Sequence, residues 1–363
     1  MKSAQDFKSR YEHLFPVAFF IGGVLLDVFT LNRIDSWAAI GQQLIYLALI
    51  LFMLLQMFFE EDLEPNATLG KSQLTQFYYK YRILALHFSF GALLSCFSFF
   101  FFKSASLFSS FAFLLIMVVL LVANEFERVQ NMGLPVKFGL FSLCSLCFFA
   151  SVIPILIGRL GVSVFLLSMF AGCLPLTFVT LWIQSKREQL FLKCKKQILV
   201  PNALVLLLFL VLYLFKVIPP IPLSIPYMGV FHSVERNDEG FRLGHQNPWW
   251  KFWNSGDQNF KAMTGDKVYV FFRIFSPTNF TDEVLVRWYL KDVRRHWVLQ
   301  DSIPIKILGG REDGFRGFGA KSNYQPGEWK VQVETEDGRE IGRIYFDLEL
   351  TPEAQRTFDY LIM

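Results

Sequence analysis

The chain has 363 residues, 53% of them hydrophobic and only 18% charged, with 42 Phe. Soluble proteins carry about 25% charged residues, and the shortfall is confined to the first 222 positions, so a wholly soluble protein is excluded. The net charge of +4 describes neither half, since residues 1–222 hold 17 Lys+Arg against 11 Asp+Glu and residues 223–363 hold 18 against 20; it gives no argument for a nucleic-acid partner.

Seven apolar segments follow in order, at about 14–31, 37–59, 83–102, 105–123, 136–157, 162–183 and 198–218. About twenty apolar residues cross a bilayer as a helix, so residues 1–218 read as an α-helical membrane bundle of about seven transmembrane helices. Asp27 interrupts the first segment. Lys103 and Ser104 alone separate the third from the fourth, which calls for a tight helical hairpin. No cleavable signal peptide is expected, because the N-terminus is polar to Arg10 and no small-residue cleavage site follows the first apolar run.

The polar links set the orientation. The N-terminal tail and the links near 60–82, 124–137 and 184–197 hold 13 Lys/Arg, and the alternate links hold three, Arg33, Lys103 and Arg159. Cationic links stay in the cytoplasm, which places the N-terminus there and the C-terminal domain outside. The three outer links are short (32–36, 103–104 and 158–161), leaving a low surface on which an exported domain could rest.

Several polar residues fall inside the spans. An intramembrane carboxylate is a functional candidate by default, so Asp27 qualifies; its plainer role is an interfacial acid paired with Arg33 or Arg159. Gln42 and Gln43 lie at a depth from which they could hydrogen-bond Asp27, as interhelical glue or as a polar lining. His87 reads as a packed or headgroup-facing histidine. Cys144 and Cys147 form a C-x-x-C, but within an apolar helix this reads as small-residue packing. Lys216, at the end of the last span, can snorkel to the interface. Gly172 with Pro175 is the candidate flexible break. The spans contain no H-E-x-x-H and no G-x-S-x-G, which disfavours a membrane-embedded hydrolase; enzymatic activity is left open with a non-enzymatic role favoured, and no cofactor or metal is expected.

Pro219, Pro220, Pro222 and Pro226 predict a stiff linker over 219–226. Alternation replaces continuous apolar runs after it. Strands are predicted at 227–235, 267–275, 284–291, 296–299, 302–308, 314–320, 328–335 and 340–350, and helical pattern is confined to about 352–362. Asp337-Gly338 between two alternating runs signals a hairpin. Within 328–335, Trp329, Val331 and Val333 share one face, and Lys330, Gln332 and Glu334 the other. Residues 227–363 thus read as an all-β, immunoglobulin-like sandwich. The NPWWKFW stretch places Trp249, Trp250 and Trp253 on one loop, where they either close the core, contact the membrane beside Lys251, or form a ligand platform.

His296-Trp297, then Gly327-Glu328-Trp329-Lys330-Val331-Gln332-Val333, then Asp337-Gly338-Arg339-Glu340-Ile341-Gly342 and Phe346 resemble a bacterial domain of unknown function, number 2914. The phrase from Tyr11 to Asp35 is similar to the N-terminal part of polytopic membrane proteins that carry this domain. Where the family pattern has an Arg followed by a hydroxyl residue and an aromatic, this chain has Arg316-Gly317-Phe318-Gly319. The resemblance implies a multi-pass bacterial inner-membrane protein with a periplasmic domain, and it supplies no activity. The expected function is to present the β-sandwich to a partner protein or envelope component, as a non-enzymatic scaffold or sensor. The alternatives are a small-solute or ion transporter lined by Asp27, Gln42 and Gln43, and an envelope-assembly enzyme.

Overall fold

The structure, a computed structural model, describes residues 35–61, 73–237, 240–248, 250–251, 253–310, 314–352 and 356–363. The expected first span at 14–31 and Asp27 lie outside these residues. The chain divides into two compact units. One comprises Met1–Phe102, Ala112–Ile153 and Phe165–Phe215; the other comprises Lys103–Phe111, Pro154–Val164 and Lys216–Met363.

The first unit is helical. Its main helices are α1 (Trp37–Glu60), α2 (Gln73–Ser104), α3 (Leu107–Ala123), α4 (Leu134–Ile157), α5 (Val162–Lys186) and α6 (Val200–Leu214). Among the described residues, five helical segments are long and apolar enough to cross a membrane: Trp37–Glu60, Thr75–Ser104, Leu134–Ile157, Val162–Lys186 and Glu188–Leu214; Ser109–Ala123 is apolar but shorter. Large apolar side chains such as Phe52, Phe88, Phe111 and Phe178 are more than half exposed on these helices. An exposed apolar surface this extensive requires a lipid environment, and the chain is a multi-pass membrane protein.

Helix α2 begins ten residues before the apolar window. Its polar first turns are held by the end of α1: Tyr78 and Arg82 donate to Gln56 and Glu60, and the Tyr79 hydroxyl reaches Glu60 at 2.6 Å. Helix α6 stops four residues earlier than the apolar run, because Lys216 adopts a left-handed conformation (φ 58°) just after it. Gly172 is a packing residue rather than a flexible break. A Cβ there would lie 2.7 Å from the Leu146 side chain of α4, and Ser145 donates to its carbonyl at 2.8 Å.

The second unit holds eleven described strands: β1 (Ser224–Phe231), β2 (Ser233–Asn237), β3 (Gly240–His245), β4 (Asn259–Ala262), β5 (Val268–Phe275), β6 (Thr281–Lys291), β7 (Trp297–Leu308), β8 (Phe315–Lys321), β9 (Gly327–Thr335), β10 (Glu340–Leu350) and β11 (Asp359–Ile362). They form three sheets, in the orders β1-β5-β8, β4-β10-β9-β6-β7 and β11-β3-β2. Inward residues of the first two sheets merge in one buried cluster built on Val270, Phe272, Val286, Trp288, Trp329 and Phe346. Alternation explains this: Val284, Val286 and Trp288 of β6 face inward opposite Val333 and Val331 of β9;. Trp329, Val331 and Val333 are buried as their spacing requires.

The differences have local causes. The two short strands expected at 296–299 and 302–308 are one, β7, whose Pro304 is tolerated because β7 is an edge strand;. The helix expected near 352–362 is replaced at its end by β11, which pairs with β3 and places the Tyr360 ring 3.6 Å from the Arg242 guanidinium. The Pro-rich stretch is not an extended spacer. Residues 218–223 are buried and folded into turns, with Ile221 N–H bonded to Pro219 O and Leu223 N–H to Pro220 O, and Pro226 already belongs to β1.

Two interhelical links are integral to this unit. Thr281 N–H donates to Gly158 O at 2.8 Å, Leu160 N–H donates to the Asp282 carboxylate at 2.8 Å, and Leu160 packs on the core cluster. Ser106, between α2 and α3, donates to Glu340. Lys216 lies against Gly338 in the β9–β10 turn. All these anchors lie at one end of the long strands, where β6 begins and β9 turns into β10.

Candidate functional site

The outward face of the five-stranded sheet carries the densest polar and aromatic arrangement. Register sets Arg287 of β6 beside Gln332 of β9 and Arg343 of β10, and the next row as Tyr289, Lys330 and Tyr345. One row the other way stand Leu285, Glu334 and Glu340.

The Glu334–Glu340 end is covered. Both carboxylates belong to residues about 4% exposed. Arg287 Nη1 lies 2.9 Å from Glu334 Oε2. Glu340 accepts from Ser106, from Gln332 Nε2 at 2.7 Å and from Arg343 Nε at 2.5 Å. Burial raises the Glu334 pKa, opposed by Arg287 and Lys216. Burial also works against the charged form of Arg343, but its bonds to Glu340 and Tyr345 outweigh that and raise its pKa.

The other end is open. The Lys330 ammonium lies 4.1 Å from the Tyr289 ring centroid and 5.4 Å from that of Trp297. The Trp297 indole, projecting from the start of β7, reaches over the sheet to within 5.6 Å of the Tyr345 ring, tilted 48° to it. Arg343 Nη1 donates to the Tyr345 hydroxyl at 3.0 Å, and Lys291 pairs with Glu328. Among the described residues no carboxylate lies in ion-pair contact with Lys330. Burial lowers its pKa, with Arg343 adding to the effect and Glu340 and Glu334 opposing it. The result is a cation among three rings, beside guanidinium and amide donors.

A second cluster lies under the 246–257 loop. His232 and Asp257 are buried, 3.5 Å apart, and His232 stacks on Phe260 with centroids 4.0 Å apart. Asp257 accepts from Gln246 N–H at 2.9 and 3.0 Å, closing the neck of the loop. Burial pushes Asp257 up to about 6, against the Gln246 backbone donor and nearby His245. Burial also pushes His232 down to about 4, helped by Arg356. The two stand close without a hydrogen bond between them, since neither His232 nitrogen has a hydrogen-bond partner among the described residues.

The residues singled out in the sequence are dispersed. Trp249 lies outside the described residues. Trp250 and Trp253 are 51% and 62% exposed, with centroids 6.0 Å apart and Lys251 over Trp250. They stand apart from the core cluster. The loop attaches where Val230 meets Gly256 and Asp347 N–H bonds Gln258 O. That is five residues along β10 from Gly342, about 17 Å at 3.4 Å per residue, on the side away from the link anchors. Gln43 is buried and Gln42 exposed. His87 is buried, its Nδ1 2.7 Å from Asn124 Oδ1, while Asn124 Nδ2 donates to His87 O. Cys144 and Cys147 are buried free thiols. The Tyr289–Lys330–Trp297–Tyr345 grouping escaped sequence reading because its members lie on four strands; its one trace was the polar face Lys330, Gln332 and Glu334.

No curated protein matches the chain. A solved structure of the Pseudomonas fluorescens alkylpurine DNA glycosylase AlkC, bound to DNA containing an abasic-site analogue, aligns at 12% identity over 76% of this chain and 74% of its own, with a TM-score of 0.23. That likeness is too weak to carry an argument. Residues 281–348 match a family described as "Protein of unknown function (DUF2914)". The match runs from the first residue of β6 to Leu348 in β10, so the open aromatic face lies wholly within it, and the β-rich C-terminal part of this membrane protein carries a DUF2914 domain.

Proposed function

We propose that the chain is a seven-span inner-membrane protein that presents an extracytoplasmic, immunoglobulin-like β-sandwich and binds a partner protein or envelope component with it, as a non-enzymatic scaffold or sensor. The observation that carries this reading is the open half of the outer sheet face, where Tyr289, Trp297 and Tyr345 surround Lys330. Rings and donors converging on an accessible surface are what recognition sites offer. The core shared by the five-stranded sheet and the β1-β5-β8 sheet supports the sandwich. The orientation rests on the 13-to-three distribution of basic residues in the links. It is also supported by the α2–α3 and α4–α5 links, which belong to the same compact unit as residues 216–363, as they must if all lie on one side of the bilayer.

The test is a photo-cross-linking residue placed at Tyr289 or at exposed Lys261 on β4, in the full-length protein in nanodiscs exposed to envelope extract. A product specific to Tyr289 is expected. Equal products from both sites, or none, would rule out recognition through this face. A reporter active only in the cytoplasm should give signal when fused after Gln197 and none after Pro226.

A further inference from the structure

The cations on the outer face are not equivalent. Arg287 is matched by Glu334, Arg343 by Glu340 and Lys291 by Glu328. Lys330 is in contact with rings instead, Tyr289 at 4.1 Å and Trp297 at 5.4 Å. A cation held over aromatic faces is stabilised by the ring quadrupoles, but it keeps its capacity to bind an anion. The Trp297 and Tyr345 rings stand side by side on this face, 5.6 Å apart and tilted by 48°, with the Lys291 ammonium also 5.6 Å from the Trp297 centroid. A flat ring ligand needs only an aromatic face for its C–H side and donors for its hydroxyls. Arg343 and Gln332 supply donors in the adjacent row.

We infer that the open half of this face binds an acidic saccharide, with the sugar ring stacked on Trp297 and Tyr345 and its carboxylate or phosphate on Lys330. This rests on the recognition role proposed above and names the class of ligand. The charge complementarity is local: Lys330 is in ion-pair contact with no carboxylate among the described residues, Glu340 and Glu334 acting on it only from farther away, and the neighbouring guanidiniums are paired with glutamates.

Calorimetric titration of the full-length protein in nanodiscs tests it, with four probes. These are a uronic-acid oligosaccharide, a phosphorylated oligosaccharide, the uronate after reduction of its carboxyl groups, and a poly-glutamate peptide of equal charge. Binding of either acidic saccharide is expected, the two arms separating carboxylate from phosphate, with the reduced form weaker by about tenfold or more, the worth of a hydrogen bond to a charged group. Lys330→Met should cost a similar factor and Lys330→Arg should restore most of it, whereas Lys306→Met on exposed β7 should change nothing. Rescue by arginine separates loss of the charge from loss of the fold. Equal binding of charged and reduced forms, full affinity in Lys330→Met, binding of the peptide alone, or no binding at all would each overturn the inference. If cross-linking at Tyr289 persists in those cases, the recognition role stands and only the saccharide is wrong; if it is also absent, both fall.

Discussion

Arg343 grips Glu340 through two of its nitrogens and the Tyr345 hydroxyl through the third, so one guanidinium joins the open aromatic end of the sheet face to its covered end. Glu340 in turn holds Ser106, which lies between α2 and α3. The path Tyr345–Arg343–Glu340–Ser106 is a continuous run of hydrogen bonds from a solvent-facing ring to an interhelical link. Removing one partner of a buried pair leaves the other charge without compensation, at a cost of roughly 3–5 kcal/mol. Glu340→Ala should fall near the lower end, because the Arg343 side chain keeps 18% exposure. Ser106→Ala should cost about 1 kcal/mol. Denaturant unfolding of the full chain in detergent, followed by near-ultraviolet circular dichroism, measures both. An unchanged midpoint in Ser106→Ala would show that the link bond adds nothing to the domain.

Gly158 gives a second test of whether the links belong to the β unit. Its φ is +79°, and a Cβ there would lie 2.5 Å from Asn279 O. Gly158→Ala should therefore destabilise the β-rich unit by about 1–3 kcal/mol from backbone strain, although the residue lies between two membrane helices. Gly41→Ala, in α1 with nothing within 4 Å of the added carbon, should be neutral or mildly stabilising. Proteolysis rates of the two variants in nanodiscs would separate these outcomes, and equal rates would count against the anchoring role of Gly158.

The parts visible in the sequence were those written in local pattern. Apolar length located α1, α3, α4 and α5 closely, and period-two alternation located β5, β6, β9 and β10 with the buried Trp329. The Asp337-Gly338 turn carried its own signal, since Gly338 takes the φ of +79° that the tight hairpin uses. What escaped depends on partners distant in sequence. The polar start of α2 is helical because Glu60 receives it. The tail is a strand because β3 offers an edge. Glu334, placed on the polar face by alternation, is buried because Arg287 neutralises it. The candidate site is of the same kind: four strands supply one ring or cation each, and nothing in a single stretch announces their meeting.

His232 and Asp257 predict an unusual pH response. Asp257 is raised from 3.8 to about 6, so its contribution to stability is present below pH 3.8 and is lost as pH rises through 6;. His232 is lowered from 6.5 to about 4, so its contribution is present above pH 6.5 and is lost as pH falls through 4;. Between about pH 4 and 6 the unfolded chain carries the proton on the histidine and the folded chain carries it on the aspartate. The proton count is unchanged, and this pair should leave stability nearly flat across that interval. Asp257→Asn removes one half. Stability should then rise with pH from 4 to 6.5, with a slope of up to about 1.4 kcal/mol per unit. Unfolding midpoints of the two proteins at pH 4.5, 5.25 and 6 decide the matter, and parallel pH profiles would mean that the two groups do not titrate as described.

The tryptophans offer the sharpest contrast. Trp288 and Trp329 are 0% and 2% exposed, at the centre of the core cluster, with ring centroids 6.5 Å apart. Trp250 and Trp253 are more than half exposed on a loop closed at its neck by Asp257. Truncating a buried aromatic costs about 3–5 kcal/mol through lost transfer energy and the cavity left behind. Exposed positions away from such features stay within about 0.5 kcal/mol. Trp288→Ala or Trp329→Ala should therefore lower the unfolding midpoint sharply, and Trp250→Ser with Trp253→Ser should leave it in place while improving solubility, because a paired aromatic patch is removed from the surface. The double serine variant also separates the remaining roles of the loop. Reduced association of the purified protein with protein-free anionic liposomes would favour a lipid contact, whereas unchanged association together with loss of a cross-link formed at Lys251 would favour a bound partner. A strongly destabilised double variant would instead return these rings to the structural role that their exposure argues against.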